Sequence, residues 1–250
     1  MKALSLFSGI AGIDLACEWV GIETVAFCER EPFPQKVLRK HWPDLPIYDD
    51  VCTLTKERLE ADGIDCNSIG LISAGYPCQP YSVAGERQGE DDDRALWPEV
   101  KRLLEEIRPR WFVGENVAGH ITLGLDGVLS DLDNIGYSCQ PLVIPAAAVG
   151  ALHRRDRVFL LAYSNSEQRQ ADIEREIQGK FEIQGSEDDR GFKDWADRSM
   201  LYEPKLLRNY HGVPDGMDRN RALGNAVSPY QFYPIAAAIK KIDDAIMNIR

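Results

Sequence analysis

The chain has 250 residues, 44% hydrophobic and 28% charged, an ordinary globular balance with enough length for one sizeable α/β domain plus a small appendage. It contains no apolar run of about 18 residues, so no membrane-spanning helix and no membrane partner is expected. The net charge of −11 counts against nucleic acid by its total, yet the basic residues cluster, densely in "HRRDR" at 153–157 and again through 169–221.

The start "MKALSLFSGIAGIDLACEW" superficially suggests a secretion signal, but Asp14 and Glu18 interrupt it and no small-residue cleavage site follows. It reads instead as a strand, "KALSLF", a turn, "SGIAGID", and a helix. "ETVAFCE" reads as a second strand and "PFPQKVLRKHW" as a helix with prolines in its first turn. "LPIYDD" marks a third strand end, "SIGLISAG" a fourth strand, "ALWPEVKRLLEEIRP" an amphipathic helix and "RWFVGENV" a fifth strand. "GVLSDLDNIGYS" is a helix, "CQPLVIPAAAVG" a strand and loop, and "DRVFLLAYS" a further strand. This alternation predicts an α/β fold, a doubly wound and mostly parallel sheet. Composition then turns polar and charged over about 164–200, an insertion or small lobe, before "QFYPIAAAIKKIDDAIM" closes the chain as an apolar helix. The expected division is a catalytic domain, 1–162 with 217–250, and a small recognition region, 163–216.

Six cysteines, at 17, 28, 52, 66, 78 and 139, form no CxxC pair, which fits reduced thiols in a cytoplasm and offers no metal site. Cys78 stands apart from the rest. In "GYPCQPYS" it follows an apolar strand and sits between Pro77 and Gln79, in a loop stiffened by Pro77 and Pro80 at the sheet edge where such folds place their sites. That makes it a candidate nucleophile, against the alternative of an inert half-buried thiol. Gly9 and Gly12 permit a tight turn and close approach of a ligand to the following helix, or merely an ordinary βα turn. Glu29 and Asp50, at the ends of the second and third strands, are placed for ribose hydroxyls or are solvated strand-end carboxylates. Glu115 follows the apolar "WFV", so desolvation could keep it protonated, unless it is a surface carboxylate paired with an Arg. Arg155 and Arg157 alternate into a strand and should point to one side.

The order FSGIAG, ER, DDV, GYPCQPYS, DDRALWPEV, GENV, HRRDRVFLLA and RALGNAVSP resembles the DNA cytosine-5 methyltransferase family over nearly the whole chain except about 163–210. The resemblance implies a Rossmann-like, S-adenosylmethionine-dependent enzyme acting on double-stranded DNA, and admits a cognate restriction enzyme as a partner. Cys78, as thiolate, would add to C6 of a flipped-out cytosine, with Glu115 on N3 and the exocyclic amine, Arg157 on O2 and Arg155 in support. C5 would then take the methyl group, and loss of its proton would release Cys78. The chemistry is coherent: C5 is unreactive until a nucleophile breaks the aromatic ring, and a stacked base cannot be reached. The family's cofactor pocket maps onto Phe7, Ser8, Gly9, Gly12, Glu29 and Arg30 from the first half of the motif series. Asp50, Val51, Pro77, Leu96, Asn225 and Ala226 complete it. Gln79, Ser82, Asn116 and Val117 fall at substrate-binding positions.

Two departures stand out. Arg30 replaces the aromatic that often follows the ribose-binding acid, and the variable region that carries target recognition in the family is short here. The tRNA cytosine-5 methyltransferases share these motifs, but their Cys-Phe-Thr triplet is absent. A silent DNA-binding relative would have no use for Cys78, Glu115 and Arg157 together.

Overall fold

The computed structural model describes residues 1–77, 96–119, 121, 124–151, 155–165 and 226–248. Seven strands form one sheet: β1 (Lys2–Leu6), β2 (Glu23–Cys28), β3 (Ile47–Tyr48), β4 (Ile69–Ala74), β5 (Trp111–Val117), β6 (Tyr137–Pro145) and β7 (Asp156–Ser164). Their spatial order is β3-β2-β1-β4-β5-β7-β6. Neighbours from β3 to β5 pair in parallel, and β7 runs antiparallel to both β5 and β6. The expected mostly parallel α/β sheet is therefore present. The antiparallel β7 is an addition that periodicity alone does not reveal, because pairing sense is set by how the chain returns.

The helices are α1 (Gly12–Trp19), α2 (Pro32–His41), α3 (Lys56–Ala61), α4 (Trp97–Ile107), α5 (Leu125–Asn134) and α6 (Pro229–Asn248). Pro32 occupies the first turn of α2, where its missing N–H costs nothing. The short α3 has no counterpart in the sequence reading: six residues carry too little periodicity, and its start is marked only by the Thr55 side chain accepting the Arg58 N–H at 3.2 Å.

Helices cover both faces of the sheet, as its continuous apolar strands require. β4, "IGLISA", is buried throughout. On one face Leu4, Leu6, Ile72 and Phe112 pack with Val100, Leu103 and Leu104 of α4 and with Val128 and Leu132 of α5. On the other, Ala3, Leu71, Val113 and Phe159 pack with Ile13 and Ala16 of α1 and with Phe232, Ile235, Ala236 and Ile239 of α6. The last helix thus lies beside the first.

β1 sits between β2 and β4, so the connections leave it in opposite directions. The crevice opens there, at the carboxyl ends of the parallel strands. Among the described residues, no helix is long and apolar enough to cross a membrane.

The C-terminal helix is anchored by a fork. Arg110 Nε and Nη2 donate to the two carboxylate oxygens of Asp243 at 2.6 and 2.9 Å, and Asp243 is nearly inaccessible to solvent. Asp243→Ala leaves the Arg110 charge without its partner. We expect a loss on the order of 3 kcal/mol of unfolding free energy, read from urea melts, and an unchanged midpoint would show the fork to be dispensable.

Candidate active site

The crevice begins at the turn after β1. Phe7, Gly9 and Ala11 all have positive φ, 53°, 55° and 62°, so the chain winds tightly between β1 and α1. Ser8 ties this turn down: its Oγ donates to the Ser5 carbonyl at 3.0 Å and its N–H to the Cys28 carbonyl at 3.2 Å. Glu29, buried at the end of β2, accepts the Gly9 N–H on one oxygen and the Glu31 N–H on the other, both at 2.7 Å. Burial pushes its carboxyl above the ordinary range, and the two N–H groups oppose that rise. The two conspicuous glycines differ in their reasons. At Gly9 a Cβ would meet nothing within 4 Å, so its side faces open space and only the left-handed backbone favours glycine. At Gly12 a Cβ would stand 2.1 Å from the Val227 carbonyl oxygen. The returning C-terminal segment, rather than a ligand, fills that place.

Asp50 accepts the Cys52 N–H at 2.9 Å and so caps the short 3₁₀ turn Val51–Thr53, with Val51 buried. Arg102 of α4 holds the same turn from below. Its Nη2 donates to the Val51 and Leu54 carbonyls at 3.1 and 2.8 Å, while Nε and Nη1 engage Glu99 and Glu106. Arg30 is exposed beside Glu29, and Leu96 leads into α4 against the core.

The other wall is built from the ends of β4, β5 and β7. Tyr76 is buried against Trp97, ring centroids 5.3 Å apart, and the Trp97 indole donates to Asp131 at 2.8 Å. Asn116, also buried, donates from Nδ2 to the Tyr76 carbonyl at 3.1 Å and accepts its neighbour Val117's N–H at 2.9 Å. The backbone one residue before Pro77, which is exposed, is therefore pinned. Cys78, Gln79, Ser82 and Asn225 lie outside the described residues.

Glu115 of β5 and Arg157 of β7 are diagonal neighbours across the two strands, Arg157 pairing with Val117, and both are under a tenth exposed. Arg157 Nε lies 2.7 Å from Glu115 Oε1. Among the described residues that N–H makes no aligned hydrogen bond, so the contact is an ion pair held by charge more than by hydrogen-bond direction. Burial raises the Glu115 carboxyl from 4.5 to about 7, with Arg157 and then Arg155 opposing the rise. Glu115 is therefore desolvated rather than a surface carboxylate, and its Arg partner is buried with it. Arg155 lies just before β7 and turns its Nη2 to the Ala226 carbonyl at 2.6 Å. The two walls meet at Gly75, where a Cβ would lie 3.4 Å from both Glu115 Oε2 and the Phe7 carbonyl.

The structure thus gathers Phe7, Ser8, Gly9, Glu29, Asp50, Val51, Pro77, Glu115, Asn116, Arg155, Arg157 and Ala226 along one sheet edge. Val117 is exposed at its rim. Sequence reading missed Tyr76, Arg102 and Gln231. A polar residue inside the apolar "PYQFYPIAAAI" was the available signal for Gln231.

A profile described as C-5 cytosine-specific DNA methylase matches residues 1–211. The chain belongs to this family. Among curated proteins it is 38% identical over 165 residues to the Type II methyltransferase M.CviJI of Paramecium bursaria Chlorella virus IL3A, covering 64% of this chain and 42% of that protein. It is 36% identical over 173 residues to M2.BsuMI of Bacillus subtilis, covering 65% and 42%. The chain therefore spans about two fifths of the length of these relatives. A solved candidate DNA modification methyltransferase encoded within an E. coli prophage superposes with a TM-score of 0.58 at 25% identity, covering 67% of this chain and 48% of that one. The Dnmt2 methyltransferase of S. pombe superposes with a TM-score of 0.54 at 20% identity, covering 66% and 50%, a likeness of fold.

The cytosine-5 methylase family implies S-adenosylmethionine, and the residues present fit it. The buried Glu29 carboxylate faces a turn that leaves room at Gly9, which suits a hydroxyl-bearing group. Glu29→Ala should weaken S-adenosylhomocysteine binding by about 1–3 kcal/mol, the cost of unpairing buried polar partners. Calorimetry with unchanged affinity would place the pocket elsewhere.

Glu115 makes a second prediction. Its folded pKa, about 7, exceeds its ordinary value of 4.5. Its contribution to stability is therefore fully present below pH 4.5 and is lost as pH rises through about 7. Asp14 and Glu29 are raised as well, so the informative quantity is the difference between proteins. Glu115→Gln should flatten the decline of stability across that window relative to the unaltered chain, and parallel stability–pH curves would contradict the assignment.

Proposed function

We propose that this chain is a cytoplasmic DNA (cytosine-5) methyltransferase that modifies a flipped-out cytosine through a covalent Cys78–C6 intermediate. The observation that carries the reading is the buried Glu115–Arg157 pair, set at the strand ends beside the pinned Tyr76–Pro77 backbone that leads into Cys78. S-adenosylmethionine, held by the Phe7–Gly9 turn, Glu29 and the Asp50–Val51 turn, supplies an electrophilic methyl group.

The Cys78 thiolate forms a bond to C6, which breaks the ring's aromaticity and moves electron density onto C5. Glu115, whose carboxyl is poised near neutrality, holds N3 and the exocyclic amine and offsets the charge that develops there. Arg157 holds O2, and Arg155 keeps the local potential positive. Once C5 has gained its methyl group, a base takes the C5 proton, the C5–C6 double bond re-forms and the thiolate leaves. The buried wall excludes water from these charges, which strengthens each interaction. No stacked base could reach such a wall, so the target nucleotide must leave the helix.

Residues 163–216 form the proposed target-recognition region, and double-stranded DNA the substrate. The Type II names of the relatives support a role in restriction and modification, with a cognate nuclease as partner.

Trapping tests the mechanism. DNA carrying 5-fluorocytosine should form a stable covalent adduct, because fluorine at C5 cannot leave as a proton. Cys78→Ser should form none while binding S-adenosylhomocysteine as before. Adducts formed equally by the Ser variant would transfer the nucleophile to another residue. Modification of tRNA in preference to DNA would point to the RNA-directed alternative.

A further inference from the structure

We infer that Gln231, in the first turn of α6, is a positioning residue that sets the Arg155–Arg157 pair against Glu115. The inference rests on the proposed function and adds a residue that neither the motif series nor the site's charge pattern identifies.

Gln231 has no solvent exposure. Its single amide nitrogen, Nε2, donates to the Ile144 carbonyl at 2.7 Å and to the Arg155 carbonyl at 3.0 Å. Ile144 is the ladder partner of Arg157 in the β6–β7 pairing. One NH₂ group therefore fixes the backbone of Arg155 and the strand position facing Arg157. Arg155 needs such fixing: its φ is 28°, a left-handed value that strains a residue with a Cβ. Its carbonyl also accepts the Ala146 N–H, at 3.4 Å, and its guanidinium returns to the Ala226 carbonyl, five residues before Gln231. The Gln231 N–H bonds the Ser228 carbonyl at 3.0 Å, which seats the side chain at the start of the helix.

A helix that needed only packing would place an apolar residue here, as it does at Phe232, Ile235, Ala236 and Ile239. Burying an amide instead has a cost. The Gln231 Oε1 finds no partner among the described residues, whereas Nε2 makes two bonds, and both end on the segments that carry the arginines. Because Arg155 and Arg157 both act on Glu115, a shift of this backbone moves the charges that hold the base.

The test is a mutant cycle on the full chain. Gln231→Met and Gln231→Leu keep the bulk and remove the donor. Each should lower kcat for DNA methylation roughly ten- to hundred-fold, the sensitivity of a reaction to small misplacement of its groups. S-adenosylhomocysteine affinity should stay unchanged. In an Arg155→Ala background either substitution should cost less than it does in the unaltered chain, because one of the two guanidinium groups it positions is gone. Three results would overturn the inference: an unaltered kcat in both variants, a full multiplicative loss in the Arg155→Ala background, or cofactor binding lost together with activity in both. The last would make Gln231 a general support of the fold. A wild-type chain that neither methylates DNA nor traps 5-fluorocytosine fails the functional reading itself, and this appears before any variant is compared.

Discussion

The constraint on which this site depends is the seating of the C-terminal segment, residues 226–231, between the two walls of the crevice. The Val227 carbonyl fills the place of a missing Cβ at Gly12, so α1 can start where it does only because residue 12 is glycine. The Ala226 carbonyl takes the Arg155 guanidinium, and Gln231 holds the Arg155 and Ile144 carbonyls. One short stretch therefore fixes the turn after β1 and the strand that carries the arginines. The Arg110–Asp243 fork keeps the same helix from sliding.

Within that frame the site divides by electrostatics. On the side proposed for the cofactor, the Gly9 and Glu31 N–H groups converge on the buried carboxylate of Glu29. On the side proposed for the base, Glu115 is buried deeply enough for its carboxyl to titrate near neutral pH even with an arginine 2.7 Å away. Desolvation outweighs attraction because both groups lie below the surface, where an ion pair recovers only part of what hydration supplied. Such a carboxyl can hold a proton or give it up near neutral pH, which suits the proposed contact with a ring nitrogen.

Rigidity is distributed to match. The backbone before Pro77 is clamped at Tyr76 by Asn116 and by a tilted ring contact with Trp97. The turn after β3 is clamped by Arg102, whose guanidinium bonds two carbonyls and two carboxylates. These side chains form a supporting shell that holds the crevice open with few degrees of freedom, a condition for preorganised charge.

Much of this was legible in the residues alone. Alternating apolar runs gave the strands and helices, because burial on both faces imposes continuous hydrophobicity along a parallel strand. "GENV" and "HRRDR" marked the strand ends that the structure brings together at Glu115 and Arg157, since turn residues and charges at strand ends are local signals. Three features were decided only by the tertiary structure. β7 runs antiparallel, Gly12 serves a backbone 215 residues away in sequence, and a glutamine in an apolar helix bonds two strand ends. Each depends on which distant segments come to lie against one another. Periodicity and turn chemistry report on neighbours within a few residues, whereas a close approach of two backbones or a shared amide exists only once the chain's two ends have met.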